Sequence, residues 1–171
     1  AVEAEGATKA MLQQPGTCYL RLGRGGEMPI PRANVDFTPG KAIPVYHGEQ
    51  VALLSTGAIF DEVYTAAQLL RGAGIHPTVY TFPTVKPLDT AVIEECARSH
   101  DLIVTCEEHN LSGGFGSSVA EVLACGDGNA KLLRIAIPDT YCMEVGDQHY
   151  LRQFYGLDAV SIAKRIREAL V

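Results

Sequence analysis

The residues best suited to chemistry lie in one stretch beyond the middle of the chain. Glu107, Glu108 and His109 follow an apolar run, and a glycine-rich turn within residues 110–118 then leads into a helix-like pattern. Carboxylates and imidazoles exchange protons, and the first amides of a helix attract anions. Two interpretations stay open: an acid/base or anion site, or a tight strand-to-helix turn whose consecutive side chains point apart and do not converge.

Two arginines near the N-terminus form a second candidate site. Arg21 and Arg24 lie at the end of an alternating, strand-like segment, next to Gly23 and to the glycines at 25 and 26. A guanidinium with little steric obstruction around it can bind a phosphate through two parallel hydrogen bonds. Exposed arginines are also common on protein surfaces, so a substrate contact and an ordinary surface position both remain open from local features.

The histidines and cysteines lack the spacing of a metal site. The five histidines form no HxxxH or HxH pair, and the five cysteines form no CxxC pair. No structural metal is predicted. A catalytic nucleophile is not predicted either, because the chain has no GxSxG motif and Cys106 has only His109 as a nearby base.

The composition fits one compact domain with an attached arm. The chain has 171 residues, of which 47% are hydrophobic, so it can bury a core without disulfides. A net charge of −6 and the absence of any Lys/Arg run argue against nucleic acid as a partner. No apolar run reaches the roughly 18 to 20 residues that cross a bilayer, so no membrane partner is predicted. Five widely spaced cysteines favour a reducing cytoplasm.

Strands and helices are predicted to alternate along residues 51–171. Apolar stripes of helical spacing lie between the strand-like runs, with Asp89 as a predicted N-cap and a last helix beginning near Asp158. Elements of these lengths predict an α/β fold: three α/β/α layers around a mostly parallel sheet. The predicted strands are Val51–Ser55, Thr78–Phe82, Leu102–Thr105 and Leu132–Ile137.

The residues before position 51 follow a different pattern. Ala1–Gln14 have helical spacing that stops at a Pro-Gly pair, and Thr17–Leu22 alternate like a strand. Residues 23–48 are rich in proline and glycine and show no strong periodicity. The sequence therefore predicts a helix-strand arm and a linker before the main domain.

Five motifs along the main domain resemble, in the same order, the C-terminal domain of the transketolase-like thiamine-diphosphate enzymes. The resemblance covers nearly all of the chain from Val51 onward, and residues 16–24 resemble the closing strand of the family's middle, pyrimidine-binding domain. It implies three parts: residues 1–26 as a remnant of that middle domain, 27–48 as a linker, and 49–171 as the C-terminal domain. The motifs are Leu53–Gly57, Val85–Asp89, Glu107–Glu121, Ile137–Asp139 and Gly156–Asp158.

What the resemblance implies about function follows from the complete enzymes of the family. They hold thiamine diphosphate and Mg²⁺ between an N-terminal domain of one subunit and the middle domain of another, and transfer two-carbon ketol units between sugar phosphates. The resemblance implies that this chain has no catalytic residue, binds no cofactor or metal by itself, and supports assembly with the N-terminal and middle domains, fused or separate, as a homodimer or heterotetramer. By position it assigns the sugar-phosphate contact to Arg24, with Arg21 as a further candidate.

Two sequence details bear on the subfamily. The Gly126–Asn129 segment contains the Asp-Gly and Asn of a magnesium-diphosphate motif, but no second Asn follows at the required distance. Deoxyxylulose-phosphate synthases carry an arginine shortly before Lys86, where this chain has Phe82-Pro83-Thr84. Split transketolases usually have Met-His-Thr there, a pattern that Thr84 fits and Phe82-Pro83 do not. A transketolase is therefore favoured. The alternatives are 1-deoxy-D-xylulose-5-phosphate synthase, the beta subunit of a 2-oxoacid dehydrogenase, and a non-catalytic anion-binding module.

Overall fold

The main domain is built around a five-stranded sheet. The computed structural model describes residues 2–23, 25–26 and 37–171. Its strands are β1 (Ile43–Tyr46), β2 (Val51–Ser55), β3 (Thr78–Thr81), β4 (Leu102–Asn110) and β5 (Lys131–Ile137). Along the sheet they lie in the order β1-β3-β2-β4-β5. β1 runs antiparallel to β3, and all other pairs are parallel, which confirms the predicted mostly parallel sheet.

Helices cover both faces of this sheet. The helices are α1 (Val2–Met11), α2 (Phe60–Gly72), α3 (Thr90–Ser99), α4 (Phe115–Cys125), α5 (Gln148–Phe154) and α6 (Ala159–Ala169). Helices α2 and α6 share one buried cluster with one side of the strands, and α3 and α4 share a second cluster with the other side. In β4, Leu102 and Val104 belong to the first cluster and Ile103 to the second, as strand alternation requires. The α/β/α layers are thus confirmed.

Strand β4 is longer than predicted. The sequence predicts its end at Thr105, but the strand extends to Asn110, with an irregularity in its pairing with β5 between Cys106 and Asn110. Glu107, Glu108 and His109 therefore lie within the strand instead of beyond it. Their contacts place Glu107 and His109 together on the α4 face, and Glu108 on the opposite face, where it contacts Arg152.

Strand β1 lies inside the stretch that the sequence predicts as a linker. It pairs at the edge of the sheet, with Ile43 opposite Thr81. The sequence does not predict β1 because it contains a proline, a residue that is tolerated on edge strands but counts against a strand prediction. Asp89 stands at the predicted N-cap position of α3, yet its carboxylate makes no cap; it accepts hydrogen bonds from the Ala42 amide (3.0 Å) and from Lys41 Nζ (3.4 Å).

The N-terminal arm is only partly as predicted. Helix α1 is present and contacts the domain through a 2.6 Å hydrogen bond that Thr81 Oγ1 donates to Glu3, whose pKa is raised by burial. Thr17–Leu22 form no strand in the described chain, and Tyr19 and Leu22 are exposed. A strand needs a neighbour to receive its amide hydrogen bonds, and none of the described strands lies against this segment.

Candidate functional site

Glu107 closes the N-terminus of helix α4. Glu107 is only 1% exposed. Its carboxylate accepts hydrogen bonds from the amides of Phe115 (2.6 Å) and Gly116 (2.7 Å). These amides belong to the first turn of α4, where a helix has no internal partner for its N–H groups. The negative charge also lies at the positive end of the helix. The anion that this turn attracts is thus the carboxylate of the chain itself.

The glycines of the turn allow this close approach. A Cβ on Gly114 would lie 2.5 Å from both the Asn110 carbonyl oxygen and Glu107 Oε2. A Cβ on Gly116 would lie 2.6 Å from Thr105 Oγ1. The glycine-rich pattern therefore serves to bring the helix end against the strand, which is the second of the two interpretations that the sequence left open.

Substituting Gly114→Ala is expected to lower the free energy of unfolding by about 2–3 kcal/mol, because the methyl group meets a backbone oxygen that cannot rotate away. Urea unfolding followed by circular dichroism measures the change. The matched control is Gly72→Ala, at the end of α2, where a Cβ meets no atom within 4 Å; it should be neutral or stabilising by up to about 1 kcal/mol. Equal losses in the two variants would contradict this account of the turn.

The rest of the turn is held by side chains whose roles the sequence did not predict. Asn110 donates through Nδ2 to Asp139 (2.9 Å) and accepts from the Ser112 amide (2.7 Å). Ser117 Oγ accepts from the Gly113 amide (3.0 Å) and from Arg134 Nη1 (3.2 Å). Polar residues flanking a glycine pair were the available signal, but their partners come from β5 and its end, which local sequence does not reveal.

His109 is bound to the same carboxylate. Its Nδ1 lies 2.8 Å from Glu107 Oε2, and the imidazole is partly exposed. This contact joins two members of the predicted acid/base set, since positions two apart in a strand share a face. Glu107 is, however, already engaged by two backbone amides, so its first role is to hold α4 in place.

Glu108 lies on the opposite face and makes a different set of contacts. Its carboxylate accepts from Arg152 Nε (2.8 Å) and Gln148 Nε2 (2.9 Å), both in α5. Glu107 and Glu108 therefore do not converge on one reacting group. The two carboxylates fix two different helices to the same strand.

Arg152 gathers several acceptors around one buried guanidinium. The residue is 8% exposed, and its Nη2 donates to the Ala58 carbonyl at 2.8 Å. Its Nη1 lies 3.8 Å from Asp61 Oδ2 and 3.6 Å from Glu62 Oε1. Burial by itself would lower the pKa of Arg152, but the hydrogen bond to Glu108 and the nearby carboxylates outweigh it and raise the pKa. No local sequence pattern predicts that Arg152 is buried or that it contacts these carboxylates.

The two predicted phosphate-binding arginines lie apart from this region. Arg21 follows helix α1 and is exposed. Arg24 lies outside the described residues. The assignment of a substrate contact to either arginine stays a prediction.

The described residues do not form a metal-ligand cluster. They contain no group of three or more His, Cys, Asp or Glu side chains that could hold a metal. The first amides of α4 are taken by Glu107. In the Gly126–Asn129 segment, Gly128 packs directly against Ala97, and the segment lines an open notch of about 440 Å³ at the amino ends of β4 and β5.

None of the described helices is long and apolar enough to span a bilayer.

Cys106 is not placed to act as a nucleophile. It is fully buried in the cluster under α2 and α6, and burial raises the pKa of its thiol to about 12. It also lies on the face of β4 opposite His109, its only candidate base. The thiolate, which is the reactive form, is therefore absent at neutral pH.

A thiol-reactive dye at neutral pH is expected to modify three of the five cysteines in the native chain. Cys18, Cys125 and Cys142 are exposed, while Cys96 and Cys106 are buried. Burial also raises the pKa of Cys96, to about 11. Titration with Ellman's reagent, repeated in denaturant to count all five, is the measurement; rapid native labelling of Cys106 would contradict the burial.

Comparison with known proteins identifies the class of this domain. The family model described as "Transketolase, C-terminal domain" matches residues 40–162. The strand-to-helix turn closed by Glu107 and the edge strand β1 both lie within the matched residues. The chain therefore belongs to the transketolase C-terminal domain family.

Similar proteins cover most of this chain but are themselves longer. A putative transketolase C-terminal section from Methanocaldococcus jannaschii is 35% identical over 95% of this chain, which spans 51% of that protein. A 1-deoxy-D-xylulose-5-phosphate synthase from Aromatoleum aromaticum is 40% identical over 89% of the chain and 24% of that enzyme. A solved split-gene transketolase, described as an inactive beta4 tetramer, is similar with a TM-score of 0.86 and 30% identity, covering 96% of this chain and 53% of that one. The chain thus spans about half or less of these proteins.

Proposed function

We propose that this chain is the C-terminal section of a thiamine-diphosphate-dependent transketolase, which transfers two-carbon ketol units between sugar phosphates. The observation that carries the proposal is the likeness to the split-gene transketolase chain, which extends over 96% of this chain. In this proposal the section is inert alone and supports assembly, and the reaction takes place in the other sections.

The geometry of the acidic pair supports a role without direct catalysis. Glu107 holds α4 and Glu108 holds α5, so neither carboxylate is left for proton transfer to a substrate. In this proposal thiamine diphosphate and Mg²⁺ are bound by the N-terminal and middle domains, fused to this chain or supplied by a partner chain. The assembly we propose is a homodimer, or a heterotetramer if the enzyme is split.

The synthase is the second candidate, because several synthases are as similar to this chain as the transketolase sections are. The residues that precede Lys86 favour the transketolase. Phe82 is buried with its ring centroid 5.1 Å from that of Phe115, and Thr84 Oγ1 accepts a hydrogen bond from the Gly40 amide at 2.8 Å. Both side chains serve packing of the domain, and no arginine stands there to contact a substrate phosphate.

The test is the reaction of the complete enzyme, assembled from this chain and the sections that precede it in the relatives. With thiamine diphosphate and Mg²⁺, a transketolase converts a ketose phosphate donor and an aldose phosphate acceptor without releasing CO₂. The synthase and the 2-oxoacid dehydrogenase both consume pyruvate and release CO₂. Ketol transfer supports the proposal, and pyruvate-dependent CO₂ release without ketol transfer overturns it.

Arg24→Ala in that complete enzyme is expected to raise KM for the phosphorylated sugar by about ten- to a hundredfold, since a lost charge-assisted phosphate contact costs about 1.5–3 kcal/mol. The affinity for thiamine diphosphate should stay unchanged. Steady-state kinetics with the phosphorylated sugar varied gives the KM. Arg21→Ala, three residues earlier, is the comparison, and an unchanged KM in Arg24→Ala would remove Arg24 from the site.

A further inference from the structure

The notch at the amino ends of β4 and β5 lies at the end of the sheet opposite the acidic pair. It is formed where helices α3 and α4 end, at Ser99 and Cys125, and where the two strands begin. Part of its wall is the Gly126–Asn129 segment, which the proposed function leaves without a role. A volume of about 440 Å³ is within the range of clefts that hold small molecules.

Four charged side chains of both signs line the notch. Arg98 and Lys131 are cationic, Asp101 and Asp127 are anionic, and all four residues are exposed. No hydrogen bond or ion pair joins any of these side chains to another described residue. Opposite charges that line one space without pairing with each other are available to the charges of a ligand.

Backbone contacts hold the walls of the notch together. Gly128 packs so closely against Ala97 that a Cβ on the glycine would collide with it. The Ala130 amide donates to the Ala97 carbonyl (3.3 Å), and the Lys131 amide donates to the Asp101 carbonyl (2.9 Å). The loop and the helix end are therefore pre-organised, and a ligand is not bound at the cost of ordering them.

The balance of charge indicates the class of ligand. A simple anion would be attracted by Arg98 and Lys131 but repelled by the two carboxylates, and a simple cation would meet the reverse. The described residues form no metal-ligand cluster here. A zwitterion places one charge against each set of side chains, through charge-assisted hydrogen bonds. The carboxyl ends of α3 and α4 add partial negative charge, which favours the cationic group of such a ligand further.

We propose that this notch binds a small zwitterion of the α-amino acid type, whose carboxylate contacts Arg98 and Lys131 and whose ammonium group contacts Asp101 and Asp127. Ala97 gives the wall an apolar part, against which an apolar side chain of the ligand packs. The site is separate from the strand ends that hold Glu107 and Glu108. The inference therefore goes beyond the proposed function and does not depend on it.

The test is an NMR titration of the purified ¹⁵N-labelled chain with L-leucine and two analogues. Isocaproate is leucine without the ammonium group, and isoamylamine is leucine without the carboxylate. L-leucine is expected to shift the amides of Asp101, Asp127 and Lys131 saturably, with a dissociation constant on the order of 1 mM. Each analogue carries only one of the two charges and should bind at least about tenfold more weakly.

Two variants remove one charge of each sign with little change of shape. Arg98→Gln and Asp127→Asn should each raise the dissociation constant for L-leucine about tenfold, because one charge-assisted contact is lost. Arg167→Gln, at an exposed position of α6, is the matched control and should leave the constant unchanged. Circular dichroism verifies that all three variants are folded.

Each result decides the proposal. Saturable binding of L-leucine that is weakened in Arg98→Gln and in Asp127→Asn, and unchanged in Arg167→Gln, supports it. It is overturned if the notch amides show no saturable shift up to about 20 mM L-leucine, if the three compounds bind equally, or if Arg98→Gln binds like Arg167→Gln. These measurements need no other section of the enzyme, so failure of this inference is distinguishable from failure of the proposed function.

Discussion

Glu107→Ala is expected to lower the free energy of unfolding by about 3–5 kcal/mol, because a buried charge-assisted cap is lost and two buried donors remain unpaired. The carboxylate is buried and binds the amides of Phe115 and Gly116. Without it, these N–H groups face a cavity between β4 and α4. The loss is a large part of the roughly 5–15 kcal/mol that stabilises a domain.

Urea unfolding followed by circular dichroism gives the free energy for Glu107→Ala and for two comparison variants. Glu107→Gln keeps one acceptor oxygen but turns an NH₂ group toward an amide donor, so we expect an intermediate loss of about 2 kcal/mol. Glu121→Ala, an exposed position of the same helix, should change the value by less than about 0.5 kcal/mol. A loss for Glu107→Ala no larger than that of Glu121→Ala would show that the carboxylate does not cap α4.

The parts of the fold that follow from local pattern were predictable. Apolar residues recur at strand spacing in β2 and β5 and at helical spacing in α2 and α6. In the fold these apolar residues face the buried clusters on either side of the sheet. Asp158 caps α6 through the amides of Val160 and Ser161, at the place where the sequence predicts that helix to begin. Such features depend on neighbours in sequence, which a single chain reveals.

The parts that depend on distant partners were not predictable. β1 is a strand only because β3 offers it an edge, and its sequence reads as a proline-containing loop. Asp89 has the residue type and position of an N-cap, yet its carboxylate accepts hydrogen bonds from Lys41 and Ala42 instead of from the helix amides. Helix α5 is short and mostly polar, and no pattern in the sequence predicts it. Its position is set by Arg152, which bonds acceptors on β4 and before α2.

The acidic pair, Glu107 and Glu108, shows both what the sequence predicts and what it does not. Its sequence predicted carboxylates at the end of a parallel strand and, correctly, that neighbouring side chains need not converge. What the sequence could not provide was the partner of each carboxylate. Glu107 meets a helix end eight residues further on, while Glu108 meets an arginine 44 residues away. Two consecutive residues therefore hold one helix on each face of the sheet, at the carboxyl end of β4: Glu107 binds α4 and Glu108 binds α5.

Arg152→Ala is expected to lower the free energy of unfolding by about 3 kcal/mol and to release α5, because partly buried carboxylates lose their cation. Glu108, Asp61 and Glu62 all lie around this guanidinium. Arg152→Lys should rescue little, since an ammonium cannot hold Glu108 and the Ala58 carbonyl in the geometry of the planar guanidinium. Arg167→Ala, at an exposed position of α6, is the matched control and should be nearly neutral.

Hydrogen exchange distinguishes release of α5 from a general loss of stability. In Arg152→Ala the amides of α5 should exchange about 100-fold faster than in the wild-type chain, while those of β2 change only by the global destabilisation. A double-mutant cycle with Glu108→Ala should give a coupling energy of about 1.5–3 kcal/mol, as for other charge-assisted hydrogen bonds. Unchanged exchange in α5, together with zero coupling, would mean that its position does not depend on this arginine.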